Sequence, residues 1–146
     1  MNGIIIIDKP QEWTSNDVVS RLRRVFNTRR IGHGGTLDPM ATGVLPVFVG
    51  RATRGVEFFE HAQKVYETTI RFGLTTDTED ITGKVLTETA VTLTENDLLA
   101  VLPRFRGEIL QVPPMYSAIK VNGQKLYDLA RKGREVERQA RPITIH

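Results

Sequence analysis

The sequence has 146 residues, 40% hydrophobic and 25% charged, which is typical of one globular domain and excludes a disordered chain or a membrane-spanning one. It has no cysteine and only three scattered histidines, which excludes disulfides, thiolate chemistry and a histidine metal centre and is compatible with a reducing cytoplasm. The net charge of +3 is uneven, with an acidic middle between two basic regions, a pattern that suits either a polyanionic partner or a merely solubilising surface.

The chain opens with a predicted strand and a predicted helix. Residues 3–8 form an apolar run that we expect to be a buried strand, ended by Lys9 and Pro10. No basic region precedes this run, so we do not expect a secretion signal. Polar residues at 14–17 are typical helix caps. Apolar residues then recur at helical spacing and predict a core-facing side made of Val18, Val19, Leu22, Val25 and Phe26.

Four arginines of this region lie away from that apolar side. Arg21 and Arg24 fall on the opposite face of the predicted helix, and Arg29 and Arg30 come just after its end. No acidic residue occurs from residue 18 to residue 37. Because the arginine side chain binds phosphate through a bidentate fork, these four are candidate phosphate contacts if the chain meets RNA.

A glycine-rich loop at residues 32–45 is the strongest candidate site. Gly34 and Gly35 can take positive φ and let another molecule approach the backbone closely. Pro39 disfavours the helical region for Asp38, which presents one carboxylate on an extended or turn backbone. The alternative is a helix start, with Asp38 as N-cap and Pro39 in the first helical position. The loop has neither the Gly-Lys-Ser/Thr ending of a P-loop nor the G-x-G-x-x-G motif of dinucleotide-binding proteins. A nucleotide-binding or phosphoryl-transfer enzyme is therefore a weak hypothesis that rests on the glycines alone.

Around and beyond this loop, predicted strands and short helices follow one another without a regular repeat. Apolar and β-branched runs predict strands at 44–49, 64–73, 84–91, 116–121 and 136–145, the last interrupted by Pro142. Helices are predicted at 56–59, 94–102 and 124–132, with a turn at Asn122-Gly123 and Gly133 as the final C-cap. This order lacks regular βαβ alternation and predicts the α+β class, with a mixed, largely antiparallel sheet flanked by helices.

Two of these predicted elements carry expectations about single residues. Tyr66 begins the more apolar face of the strand at 64–73, where it is either a core aromatic or a stacking surface for a base. Thr94 caps the helix at 94–102. The apolar residues expected to be buried on that helix are Leu98, Leu99, Val101 and Leu102. The acidic loop at 75–83 has the wrong spacing for an EF-hand, so we expect no metal there.

Four ordered segments of the sequence resemble the TruB family of tRNA pseudouridine synthases. The signature segment is GHGGTLDPMATGVL at 32–45, and NGIIIIDKP at 2–10 is similar to the family's opening strand and Asp-Lys-Pro turn. The later segments that resemble the second and third family blocks are KVYE at 64–67, TDTEDITG at 76–83, PPMYSAIK at 113–120 and KLY at 125–127. The blocks keep their order over nearly the whole chain, so chance is a poor explanation.

The resemblance implies an isomerase that converts the T-loop uridine-55 of tRNA to pseudouridine, flipping the base out of its stack and needing neither cofactor nor metal. Asp38 matches the family's catalytic aspartate, which acts as the nucleophile. The matches to substrate-binding positions are Tyr66, which stacks on the uracil, His33, which packs into the gap in the T-loop, Lys9, and the loop glycines Gly34 and Gly35. For Lys9, an ordinary turn lysine is the open alternative.

One departure from the family pattern concerns the C-terminal side. Family members continue past the position of His146 with a Gly-Thr-Tyr-Ile-Arg block that completes the pocket, and usually with an RNA-binding domain. Residues 1–146 therefore resemble the N-terminal portion of the catalytic domain, with an incomplete fold that we expect to be inactive alone. The expected partner is the T-stem-loop of tRNA, with no membrane, in the cytoplasm. The oligomeric state is open, a monomer being expected at full length, and the main alternative is a non-catalytic RNA-binding fragment.

Overall fold

The computed structural model of this chain describes residues 1–60, 62–117, 119–121 and 123–146. It consists of two compact units, Met1–Glu67 and Thr68–His146. His61, Ala118 and Asn122 lie outside the described residues, and with Asn122 so does half of the predicted Asn122-Gly123 turn. None of the described helices is both long and apolar enough to cross a membrane.

The first unit is a three-stranded antiparallel sheet with a helix on one face. Its elements, in chain order, are strand β1 (Gly3–Lys9), helix α1 (Ser15–Val25), strand β2 (Ile31–His33), strand β3 (Gly43–Val49), a 3₁₀ helix (Gly50–Gly55) and helix α2 (Glu57–Glu60). The strand order is β1-β3-β2. The Asp38 loop, defined here as residues 34–42, connects β2 to β3 and therefore leaves one edge strand and enters the central one.

The core of this unit lies between the sheet and α1. Because strand side chains alternate between faces, one face of β1 and β3 points toward the helix. The buried residues of the core are Val18, Val19, Ile31, Leu45, Val47 and Val49, and Ile5, Ile7, Leu22, Phe26 and Leu37 pack against them. The helix begins with a capping box in which the Thr14 hydroxyl accepts from the Asp17 amide and the Asp17 carboxylate accepts from the Thr14 amide. The sequence prediction of a capped, core-facing helix is confirmed.

Two expectations about this unit are wrong. Strand β1 is not buried, because Ile4 and Ile6 are 51% and 61% exposed on the face opposite α1. A continuous apolar run predicts burial on both faces, but the described residues cover only one. Val25 is also exposed rather than in the core, because it lies in the last turn of α1, where Phe26 makes the core contact instead.

The described residues of the second unit form three two-stranded antiparallel sheets and two short helices. In chain order its elements are strands β4 (Leu74–Thr76) and β5 (Val85–Glu88), helix α3 (Glu95–Val101), a 3₁₀ helix (Leu102–Phe105), strands β6 (Gly107–Gln111), β7 (Lys120–Val121) and β8 (Gln124–Lys125), helix α4 (Leu126–Ala130) and strand β9 (Arg141–Ile145). The pairs are β4 with β5, β6 with β9, and β7 with β8. All strand pairs among the described residues are antiparallel, and the predicted α+β class is confirmed.

Several predicted elements of the second half differ from the structure. The strand at 64–73 is wrong, because residues 63–71 form no regular structure; a strand needs a partner for its backbone groups, and none of the described strands pairs there. The strand at 116–121 is reduced to β7, and the helix at 124–132 to α4. Gly133 does end that helical turn, with a φ of 67° and an amide that donates to the Ala130 carbonyl at 2.9 Å.

Two further differences concern single residues. The Thr94 capping box is present at the start of α3, but of the apolar residues expected to be buried only Leu98 is half-buried, and Leu99, Val101 and Leu102 are exposed. Pro142 does not interrupt the last strand but lies inside β9 opposite Leu110. Proline is tolerated there because both strands of a two-stranded sheet have an open edge.

Candidate active site

Asp38 lies in a β-turn and not at the start of a helix. Its carbonyl accepts a hydrogen bond from the Ala41 amide at 3.0 Å, which places Pro39 and Met40 at the two central positions. Proline is favoured at the first of these positions, and Asp at the position before it. The helix-cap alternative is therefore wrong, and the expectation of a turn backbone is confirmed. The Asp38 side chain is exposed and forms no hydrogen bond or ion pair with any of the described residues.

The carbonyl of Pro39 is held by two groups from the segment after β1. The Glu12 amide donates to it at 2.7 Å, and Glu12 itself has a φ of 68°. The Lys9 ammonium donates to the same carbonyl at 3.3 Å. Contacts from both groups fix the residue directly after Asp38.

Lys9 is fully buried although it carries a charge. Its ammonium donates to the carbonyls of Pro10 at 2.9 Å, Trp13 at 2.6 Å and Pro39. An ammonium has three N–H donors, so its hydrogen-bonding capacity is used by these three carbonyls, which offsets the cost of burial. The structure therefore gives Lys9 a local architectural role, and a direct contact with RNA stays a prediction.

The residue directly before Asp38 is held from helix α1. The Leu37 amide donates to the Ser15 hydroxyl at 2.9 Å, and that hydroxyl donates to the Leu37 carbonyl at 3.4 Å. Ser15, Glu12 and Trp13 were not predicted from the sequence to be part of the site. One signal for Ser15 was available, since Thr14 is sufficient as the helix cap and leaves a second hydroxyl without an assigned role.

His33, Gly34 and Gly35 share a shallow cleft. Together with Thr36, Val56 and Lys64 they line a cavity of about 340 Å³. The Nδ1 atom of His33 is buried and has no hydrogen-bond partner among the described residues. A buried polar atom of this kind destabilises the fold unless a ligand or water forms a hydrogen bond with it. The structure is therefore compatible with the assignment of His33 to substrate binding, and this assignment stays a prediction.

The two loop glycines serve different purposes. Neither uses the positive φ that glycine permits; within residues 32–45 that conformation is found at Gly43, at the start of β3, with a φ of 102°. A Cβ on Gly34 would lie 2.9 Å from Cε2 of Phe48, whereas a Cβ on Gly35 would meet no atom of the described residues within 4 Å. Gly34 is therefore required by packing, and Gly35 leaves an open backbone.

Tyr66 and the arginines are exposed. The Tyr66 side chain is 65% exposed, which makes the core alternative wrong, and it forms no hydrogen bond or ring contact with Asp38 or any other described residue. Its stacking role stays a prediction. The four candidate phosphate contacts, all exposed and without an ion pair to the part of the chain that the structure describes, are Arg21, Arg24, Arg29 and Arg30.

Comparison with known proteins identifies the family. Residues 23–146 match the model of the TruB family pseudouridylate synthase (N terminal domain). The chain belongs to the TruB family. This TruB-family chain is 51% identical to the tRNA pseudouridine synthase B of Lactococcus lactis subsp. cremoris (strain SK11), over 99% of its own length and 44% of the relative. It is 50% identical to the protein of the same name from Clostridium kluyveri, over all of its length and 50% of the relative.

The TruB-family chain spans about half the length of these curated relatives and corresponds to their N-terminal part. Among solved structures it resembles a chain in the crystal structure of a Cbf5–Nop10–Gar1 complex, with 32% identity and a TM-score of 0.54, over 81% of this chain and 31% of that chain. A chain of the archaeal box H/ACA sRNP Nop10–Cbf5 complex matches with 30% identity and a TM-score of 0.50, over 75% and 30%.

The Asp38 loop of this TruB-family chain presents a single carboxylate. Its backbone is fixed on both sides, and its oxygens accept no hydrogen bond from the part of the chain that the structure describes. Such a group can act as a nucleophile or base toward a ligand that reaches it. Among the described residues, no group of three or more acidic, histidine or cysteine side chains could hold a metal ion. The chemistry that this arrangement supports is that of one positioned carboxylate.

Proposed function

We propose that this chain is the N-terminal part of the catalytic domain of a tRNA pseudouridine synthase, and that Asp38 is the nucleophile in the isomerisation of the T-loop uridine-55. The observation that carries the proposal is the free Asp38 carboxylate on a turn that contacts hold at both neighbouring residues. It is supported by sequence identities of 51% and 50% with two proteins named tRNA pseudouridine synthase B. Since tRNA is the substrate, the proposed site of action is the cytoplasm.

The reaction breaks the N1–C1′ bond of uridine, turns the uracil and forms a C5–C1′ bond. The proton on C5 leaves and N1 gains one, so the product is an isomer of the substrate. No electrons are exchanged and no group is imported, and therefore no cofactor is required. Asp38 would attack C1′ or C6, or drive elimination at the sugar; in each case its charge must be protected from water in the complex.

The reaction requires a uridine that has left its stack, because the target atoms are covered in folded RNA. The exposed ring of Tyr66 offers a stacking surface for the extruded uracil. Gly35 offers an open backbone where RNA can approach, and His33 brings a buried acceptor or donor without a protein partner among the described residues. The exposed arginines of α1 and the segment after it supply phosphate contacts.

The fold of the catalytic domain is completed, in this proposal, by the remaining half of the protein. No cation pairs with Asp38 among the described residues, and a nucleophilic carboxylate that bound RNA shields from water normally needs charge balance. We propose that the C-terminal half supplies this cation and that residues 1–146 alone are catalytically silent. The competing hypothesis is a non-catalytic RNA-binding module.

A tritium-release assay tests the proposal. The full-length protein is incubated with a T-stem-loop RNA labelled with tritium at C5 of uridine-55, since isomerisation must release this label and binding alone cannot. Asp38→Asn is expected to abolish release while leaving RNA affinity and melting temperature unchanged, because the side chain keeps its shape and Asn is also favoured in this turn position. Residues 1–146 alone are expected to release none.

The controls separate the alternatives. Full-length protein that binds the RNA but releases no tritium would support the binding module and contradict the enzyme. Near-normal release by Asp38→Asn would end the assignment of the nucleophile while keeping the enzyme. Release by residues 1–146 at the rate of the full-length protein would show that the C-terminal half is not needed for the chemistry.

A further inference from the structure

The hydroxyl of Ser15 is the one buried polar group of α1, among the described residues, that the helix itself does not use. Ser15 is the first residue of α1 and is 2% exposed. The capping function at this helix end belongs to Thr14, whose hydroxyl accepts from the Asp17 amide at 3.1 Å. A buried hydroxyl must find a partner, and the partner of Ser15 lies 22 residues further along the chain, in the Asp38 loop.

That partner is the backbone of Leu37. The Leu37 amide donates to Oγ of Ser15 at 2.9 Å, and Oγ donates to the Leu37 carbonyl at 3.4 Å. The Leu37 side chain also packs against the hydrophobic core. Leu37 is therefore held by its backbone through Ser15 and by its side chain through the core.

The contact with Ser15 matters because Leu37 directly precedes Asp38. On the other side of Asp38, Pro39 is held through its carbonyl by the Glu12 amide and the Lys9 ammonium. The exposed carboxylate has no contact of its own with the described residues. Its position is consequently set by the backbone, which is held by the turn bond from the Ala41 amide to the Asp38 carbonyl and by the contacts on Leu37 and Pro39. Ser15 supplies the contact on Leu37.

We propose that Ser15 is a positioning residue for the Asp38 nucleophile, acting through the Leu37 backbone and without touching the substrate; this rests on the proposed function. Without the hydroxyl, the Leu37 amide loses its partner and the backbone entering Asp38 is free to shift. A displacement of about 1 Å in a reacting group can cost on the order of a hundredfold in rate. Ser15 fixes only one side of Asp38, so we expect a smaller loss, roughly tenfold.

The test compares Ser15→Ala with Thr14→Ala in the full-length protein. Thr14→Ala is the matched control because it removes a neighbouring hydroxyl and weakens the same helix end, whereas the hydrogen bonds of Thr14 with the described residues go to Asp17 and Val18 and not to the Asp38 loop. Three quantities are measured for each variant: the single-turnover rate of tritium release at saturating T-stem-loop RNA, the Kd for that RNA, and hydrogen exchange at the Leu37 amide. All measurements are made well below both melting temperatures.

Ser15→Ala is expected to lower the single-turnover rate roughly tenfold, to leave the RNA Kd within about a factor of two, and to speed exchange of the Leu37 amide. Thr14→Ala should keep both the rate and the protection of Leu37. An unchanged rate in Ser15→Ala, an equal loss in Thr14→Ala, or a loss confined to Kd would overturn the inference. Inactive wild-type protein would instead overturn the proposed function, and unchanged Leu37 exchange would still refute the contact independently.

Discussion

Gly34→Ala tests whether the glycine at this position is required by packing inside the protein. An added Cβ would lie 2.9 Å from Cε2 of Phe48 and 3.5 Å from the Cβ atoms of Phe59 and Pro46. Carbon atoms in contact prefer about 3.5–4.0 Å, so the Phe48 ring would have to move by roughly 0.6 Å or more. That ring is fully buried and meets the Phe59 ring edge-on, with centroids 5.1 Å apart, which leaves it little freedom to move.

The expected change in stability is the difference between two opposing effects. Overpacking a core typically lowers the free energy of unfolding by about 1–3 kcal/mol. Replacing glycine by alanine restricts the unfolded chain and raises the free energy of unfolding by about 0.4–1 kcal/mol. For Gly34→Ala we therefore expect a net loss of roughly 0.5–2 kcal/mol. Gly35→Ala is the matched control, because its Cβ meets nothing within 4 Å and only the second effect applies. The two variants should differ by the whole cost of overpacking, about 1–3 kcal/mol.

Urea unfolding of the full-length protein, followed by circular dichroism, measures both free energies of unfolding, and T-stem-loop binding is measured on the same samples. We expect Gly34→Ala to lose stability and Gly35→Ala to gain about 0.4–1 kcal/mol while weakening RNA binding, since Gly35 has open space beside it among the described residues. Equal stability of the two variants, or a more stable Gly34→Ala, would refute the packing argument. Unchanged RNA affinity in Gly35→Ala would remove Gly35 from the proposed interface.

Two further predictions concern charge. Replacing Arg21, Arg24, Arg29 and Arg30 one at a time by Gln should weaken RNA binding and reduce the slope of log Kd against log salt by up to about one for each lost phosphate contact; an exposed arginine of the other unit, Arg104, is the control, and an unchanged slope in the fourfold variant would place the footprint elsewhere. Hydrogen bonds from Thr14 lower the pKa of Asp17, with a smaller contribution from the charge of Lys9. The stability that Asp17 adds should thus be present above about pH 4 and lost below it as the carboxylate protonates. The difference in urea midpoint between wild type and Asp17→Asn should accordingly shrink from pH 6 to pH 3, and a constant difference would contradict this.

The first unit could be predicted from the sequence largely because its signals are local. The Thr14 and Asp17 capping box involves residues three apart and is recognisable as a helix start. The apolar run in β3 and the helical spacing of Val18, Val19 and Leu22 likewise describe neighbours along the chain. Local patterns of this kind do not depend on which element packs where, and they gave correct elements.

The errors lie where the outcome depends on distant partners. Residues 64–73 alternate as a strand should, yet no described strand pairs with them, and alternation without a partner does not make a strand. Strand β2 was missed for the opposite reason. It has only three residues and exists because β3 pairs with Ile31, Gly32 and His33.

The candidate site was predicted only in part, because the residues that support it are distant in the sequence. Asp38 was identified by family resemblance, and Pro39 correctly predicted a turn backbone. The supports of that turn come from residues 9–15, more than 20 positions earlier, and such contacts leave no periodic trace in a sequence. Lys9 illustrates the limit most clearly, because a lysine after a strand gives no indication that its ammonium is buried among three carbonyls.

The way in which Asp38 is held differs from that of the other well-supported carboxylates in this chain. Asp17 and Asp97 accept hydrogen bonds from threonine side chains and amides at helix starts, and these contacts lower the pKa of each. Hydrogen bonds of that kind stabilise the anion and occupy its lone pairs, which suits a helix cap and opposes reaction with a substrate. At Asp38 every fixing contact acts on backbone atoms, either those of Leu37 and Pro39 or its own carbonyl, and the carboxylate oxygens accept no hydrogen bond from the described residues. Position and reactivity are thereby controlled separately. Ser15, Glu12 and Lys9 fix the backbone on either side of Asp38 without donating a hydrogen bond to its carboxylate.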